Sequence, residues 1–239
     1  MLRFRPLWKF TALMLPLFLG CIALGVWQME RLQWKLALIA QVNRNFHSPP
    51  VPVEQLLGVG VDAAAQYRRV RLSGRFDYTK ESYVFTTAGE GVPAYHVLTP
   101  FVLDGGQTLL VDRGVVPERL RDPHTRPTGQ LNGIRHIVGV WRVPESPGWF
   151  TPGPNLAKRI WYARDVQGIS QADHIRLAAP VVIEADAAPN PGGWPKGGQT
   201  VVIFRNEHLQ YAITWFGLAA VVLGGWLAFH ISRGRVGSG

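Results

Sequence analysis

The chain begins and ends with apolar runs of membrane-spanning length, and the sequence between them is polar and turn-rich. Phe10 to Met29 carries no charged residue, and neither does Leu209 to Ile231 apart from His230. Each has the roughly 20 residues that a helix needs to cross the hydrocarbon core. Charged residues make up only 17% of the chain, below the roughly one quarter usual for soluble domains. Residues 10–29 read as an uncleaved first span. They are longer than the apolar part of a secretory leader, no Ala-x-Ala site follows, and Gln28 to Lys35 continues as helix. Pro16 is a candidate kink of the kind that membrane helices tolerate. Residues 206–231 read as the second span, with Asn206 as its N-cap.

Charge sets the topology. The formal charge is +9, but five of the 25 basic residues (Arg3, Arg5, Lys9, Arg233 and Arg235) lie in tails 1–9 and 232–239, which hold no acid. Elsewhere 20 basic residues face 16 acidic ones, with no basic stripe of the kind that binds a phosphate backbone, so no nucleic acid is expected as partner. Basic tails at both ends place both termini in the cytoplasm and residues 30–205 on the far side of the membrane. The short basic N-terminal stretch leaves no room for a mitochondrial presequence, which points to a bacterial inner membrane. Cys21, inside the first run, is the single cysteine, so neither an intrachain disulfide nor Cys-x-x-Cys chemistry is available.

Residues 30–45 form an amphipathic helix. Leu32, Leu36 and Ile39 recur at helical spacing, Arg31 and Lys35 reach for headgroups, and Trp27 and Trp34 sit at the interface where lipids anchor them. After His47-Ser48-Pro49-Pro50 the period changes to two. Residues 67–76, 82–87, 95–103, 108–113, 135–143, 159–164, 180–185 and 200–204 are strand candidates. Asp104-Gly105-Gly106 is a hairpin turn, residues 144–154 are a Pro/Gly loop, and residues 166–174 are a short helix. The expected fold is a membrane α+β protein, in which two transmembrane helices flank an antiparallel β-rich domain (residues 67–205) built as a small barrel or sandwich. Asn190 to Gln199 lacks the ending of a phosphate loop and reads as a rigid turn near the membrane, anchored by Trp194. Cys21 with Gly25, and Ala220 with Gly224 and Ala228, are small-residue stripes on which the spans can pack.

Few residues point to chemistry. There is no Gly-x-Ser-x-Gly, no His-Glu-x-x-His and no paired carboxylates, so no enzyme is expected, and a membrane-anchored hydrolase rests only on the isolated pair Asp173-His174. His208 and His230 are 22 positions apart, about 33 Å along a helix, and cannot share a ligand. His208 opens the second span and shares a face with Tyr211, Ala212 and Trp215. An imidazole over a small residue, flanked by aromatics, offers an axial nitrogen and a flat apolar surface suited to a haem, with Arg205 near enough for a propionate. The same histidine also reads as an interfacial residue that bonds headgroups or the domain above it.

Several segments resemble, in order and spacing, the surfeit locus protein 1 family, which includes bacterial members. They are Gly25 to Lys35, Tyr67-Arg68-Arg69-Val70 with Gly74-Arg75-Phe76, Val111-Asp112-Arg113-Gly114-Val115-Val116-Pro117, Pro147-Gly148-Trp149-Phe150, Trp161 to Asp165, Pro189 to Gln199, and His208 to Gly217. Asp112 and Val115 depart from an Asn-Arg-Gly-Trp-Val-Pro pattern. The resemblance implies an assembly factor for haem-copper terminal oxidases that acts when haem a enters the catalytic subunit. The implied partners are that subunit, haem a synthase or other assembly factors, and membrane lipids. Some bacterial members are held to bind haem through a histidine corresponding to His208, and Met29 is a candidate second ligand. The alternative implied role is a scaffold that binds no haem and stabilises nascent oxidase subunits.

Overall fold

A computed structural model describes residues 2–58, 62–144, 147–202 and 204–238. The chain divides into two compact units, Met1–Ala40 with Ile203–Gly239, and Gln41–Val202.

The first unit is a pair of antiparallel helices. Strand β1 (Leu2–Phe4) leads into helix α1 (Trp8–His47), which runs unbroken through Pro16 and past Ala40 into the second unit. Both α1 and the C-terminal helix of this unit are long and apolar enough to cross a membrane. Small side chains let the two backbones approach. Cys21 and Gly25 of α1 are buried as expected, and a Cβ added at Gly25 would lie 2.6 Å from the ring of Phe216. The matching stripe on the C-terminal helix is Ala212 and Ala219, each about 1% exposed. The expected stripe Ala220, Gly224 and Ala228 is on the exposed side instead. Ala212 and Ala219 are seven residues apart, close to two full turns, so they line up on one seam with His208 and Trp215.

The second unit is a barrel with additions. After the short strand β2 (Val51–Pro52) and helical turn α2 (Glu54–Leu57) come β3 (Arg69–Phe76), β4 (Ser82–Ala88), β5 (Val92–Leu103), β6 (Thr108–Pro117), β7 (Arg135–Arg142), β8 (Ile160–Trp161), α3 (Val166–Ala172) and β9 (Leu177–Ala185). The sheet order β3-β7-β9-β6-β5 closes because β5 returns to β3, while β4 and β8 extend from β5, and β2 adds to β3. Closure depends on Gly74, which is in register with Arg135 of β7 and also with Leu103 of β5. A Cβ there would lie 2.1 Å from the Val102 carbonyl oxygen, so only glycine lets β3 change partner. Most pairings are antiparallel. The β6–β9 pair is parallel, because the chain from β6 crosses to β7 and returns through α3 before β9. The β5–β6 hairpin turns at Asp104 to Gln107, with Gly106 at φ +81°.

Inside the barrel, Val70, Leu72, Phe101, Leu109, Val111, Trp141, Val181 and Ile183 form the main core. Outside it, Leu98, Leu110 and Val182 are covered by Val84, Trp161 and α3 residues Val166 and Ile169. This second layer is why β5 and β6 are buried on both faces and read as nearly continuous apolar runs. The last element, α4 (His208–Ser232), belongs to the helix pair and is followed by β10 (Val236–Ser238), which pairs antiparallel with β1.

Three further expectations are corrected. Residues 200–202 and 204 are in no strand, and residue 203 lies outside the described residues, as do residues 145 and 146 of the expected 144–154 loop. Thr200 instead donates from Oγ1 to Glu184 at 2.6 Å, so a side-chain bond replaces strand pairing. Asn206 does not cap α4: the N-cap position is Glu207, whose side chain makes no capping bond, and the buried Asn206 Oδ1 has no hydrogen-bond partner among the described residues. Trp194 packs against the domain's own cluster of Tyr83, Tyr95, Val97, Val116 and Ile160 under the Lys196 amine, rather than standing free as a membrane anchor. Its loop is held by paired backbone bonds between Val115 and Lys196. At Gly114, φ +114°, a Cβ would meet the Lys196 carbonyl.

Candidate functional site

The helix pair is fixed at both ends by a histidine of α4. At the terminal end, His230 is fully buried. Its Nε2 accepts from the Leu7 N–H at 3.0 Å, and its Nδ1 lies 2.8 Å from the Trp226 carbonyl, with Phe10, Trp226 and Phe229 rings around it. Leu7 immediately precedes α1, so this imidazole satisfies one of the free N–H groups of that helix start. Both ring nitrogens are occupied, which makes His230 a structural clamp.

His208 differs. It is the first residue of α4 and is half-buried. Its Nδ1 lies 2.8 Å from Oε1 of Gln28 on α1. An amide oxygen only accepts, so Nδ1 carries a proton, and in the neutral ring Nε2 carries the lone pair. Among the described residues no hydrogen bond engages that nitrogen. Trp215 on the same face is half-buried and Tyr211 is 51% exposed. An imidazole with a ring nitrogen free of hydrogen bonds beside aromatic surface is the donor type that a haem iron accepts, so His208 would supply one nitrogen ligand to that group. The other candidates are placed differently. Arg205 donates from Nε to Glu207 at 2.6 Å, and this carboxylate raises its pKa. Met29 follows Gln28 on α1, about 100° further round the helix, so a face that brings Gln28 to His208 turns Met29 aside.

The β unit holds two buried charge networks, and sequence reading found neither as a network. Glu81, 3% exposed, takes Arg113 at 2.8 Å and Arg126 at 2.5 Å, and the Tyr83 hydroxyl donates to it at 3.3 Å. Burial and then the Glu81 charge push the Tyr83 hydroxyl up to about 12. Arg113 stacks against Phe76 and Tyr78 and bonds the Gly129 carbonyl. In the second network, Asp112 lies 2.8 Å from His96 and 3.2 Å from Arg164, and accepts from the Gly114 N–H. Burial alone would raise the Asp112 carboxyl, but His96, Arg164 and that N–H outweigh it and hold it below the usual range. The signal was in β6 itself. Asp112-Arg113 inside an apolar strand requires two buried counter-charges from elsewhere in the chain. Neither network presents a nucleophile to a base, and Asp173 of the isolated pair is ion-paired to Arg159 at 2.5 Å. Among the described residues no group of three His, Cys, Asp or Glu could hold a metal. The networks brace strand ends and loops, whereas His208 keeps one ring nitrogen without a hydrogen bond among the described residues.

Residues 15–220 match the SURF1 family. The chain is 34% identical to Surfeit locus protein 1 of Takifugu rubripes over 229 residues, which are 89% of this chain and 93% of the relative. It is 35% identical to the Homo sapiens protein of that name over 232 residues, 89% of this chain and 74% of the relative. A SURF1-like protein of Monosiga brevicollis is 37% identical over 224 residues, 89% of this chain and 84% of the relative.

Proposed function

The chain belongs to the SURF1 family, and on that premise we propose that it is a membrane-bound assembly factor for haem-copper terminal oxidase, assisting entry of haem a into the catalytic subunit with His208 as a transient ligand. A role in cytochrome c oxidase assembly follows from the family. The haem step is our reading of the site, and the observation that carries it is the His208 Nδ1–Gln28 bond, which leaves Nε2 as the free donor. A carrier has to release what it binds. One protein nitrogen, at a half-buried helix start, suits reversible capture better than a closed site with two strong ligands. A bound haem would supply redox-active iron. The protein's part is to hold the nitrogen neutral and oriented and to offer the Trp215 and Tyr211 rings as apolar surface. We read the chain as a non-enzymatic factor with both termini in the cytoplasm, supported by the basic tails and by pairing of β1 with β10 at one end of the helix pair.

One observation favours the scaffold alternative: Trp149 and Phe150, side by side on a Pro/Gly loop of the β unit, are fully exposed and available to a partner subunit. The two readings part in a single preparation. The full chain, purified from cells that make haem a, is expected to carry a haem absorbance that His208→Ala loses. Equal haem in the variant would remove His208 as ligand, and a colourless wild type that still supports oxidase assembly would leave the scaffold.

A further inference from the structure

We propose that Gln28 is the positioning residue for His208: its side-chain oxygen holds the proton on Nδ1 and so keeps the Nε2 lone pair free. The role rests on the ligand reading above, and the bond itself is open to test without any haem. Cys21, Gly25 and Gln28 are spaced i, i+4 and i+7 on α1 and form one stripe. The first two are buried, and Phe216 packs over Gly25. The facing stripe of α4 is His208, Ala212 and Ala219. Gln28 and His208 therefore meet as the polar pair that ends a small-residue seam, 180 positions apart in sequence and 2.8 Å apart in space.

The chemistry of the partner matters. Among the described residues no side chain in the first turn of α4 orients the ring: Glu207 at the N-cap makes no capping bond, and its carboxylate is taken by Arg205. Orientation comes from α1. A carboxylate at this position would favour the imidazolium, whose Nε2 must lose its proton before it can bind a metal. A neutral amide oxygen fixes the tautomer without drawing the ring into its charged form. Hydrogen bonding at the far nitrogen of a ligating histidine sets both ring orientation and ligand basicity, and losing it typically weakens metal affinity about 10–100-fold.

The decisive measurement uses the full-length, haem-free chain in nanodiscs, labelled with 15N-histidine, with the His208 signals identified by their loss in His208→Gln. The expected spectrum shows a protonated Nδ1 and an unprotonated Nε2, and Gln28→Leu shifts the ring towards the Nε2–H tautomer. With haem added, Gln28→Leu is expected to bind about 10–100-fold more weakly, and Gln28→Glu, which keeps an acceptor of higher charge, to lower the midpoint potential. A merely structural staple would leave the tautomer unmoved in Gln28→Leu and the potential unmoved in Gln28→Glu. An Nε2–H ring in the wild type, or variants unchanged in tautomer, affinity and potential, overturns the inference. A wild type that shows the Nδ1–H ring but takes up no haem supports the Gln28 bond and removes the ligand reading instead.

Discussion

Two residues that look alike in sequence, His208 and His230, are separated in function by their partners. Each lies on α4 near an end of the helix, but only His208 leaves a nitrogen available. The buried charges of the barrel teach the converse, because chemistry-bearing residues there are consumed by structure. Glu81→Gln would leave Arg113 and Arg126 buried with no charge to answer them. Breaking such a group from one side costs about 3–5 kcal/mol, so chemical unfolding of the variant should show a loss of that order, and a loss under about 1 kcal/mol would contradict a closed buried network. Asp112 sets a pH signature. Its folded pKa lies below the ordinary 3.8, so its contribution is fully present above that value and fades as pH falls through the folded one. Asp112→Asn should flatten the stability loss of the wild type below about pH 4, and parallel acid-unfolding curves would contradict this. Where Nδ1 of His208 points was not legible in sequence. Gln28 was visible only as part of an exit motif, and the 180 residues between the pair hide their contact.

At the scale of elements, much could be read and the failures have causes. Strand positions from β3 to β7 followed from alternation and turns, and the β5–β6 hairpin from Asp104-Gly105-Gly106. Residues 200–204 have the β-branched and aromatic composition of a strand, but Thr200 is bound to Glu184 through its side chain. Ala220, Gly224 and Ala228 satisfy the small-residue pattern as well as Ala212 and Ala219 do, and composition cannot say which stripe meets α1. The choice is made by bulk, since Phe216 lies over Gly25. Closure of the barrel, which sequence left open between barrel and sandwich, turns on the Gly74 contact. Gly74→Val would drive a side chain into the Val102 carbonyl and part β3 from β5. The expected result is loss of cooperative unfolding and early amide exchange in both strands. Unchanged protection of β3 and β5 would show that closure does not depend on that residue.

Across the whole molecule, the chain comprises a membrane-length helical hairpin and a β barrel. The division of labour is chemical as well as structural. The barrel neutralises its buried charges internally, whereas the hairpin ends in an imidazole oriented from the neighbouring helix and open at one nitrogen. On the proposed reading, that imidazole is where the factor would hold haem a. The consequence of the proposed role would lie in the oxidase rather than in the factor. The most direct measurement is the haem a content per catalytic subunit in membranes of cells lacking this chain, restored with either wild type or His208→Ala at matched expression. Wild type is expected to restore full haem a occupancy, and His208→Ala to leave the catalytic subunit present but poor in haem a. Full occupancy with His208→Ala would contradict the proposed role.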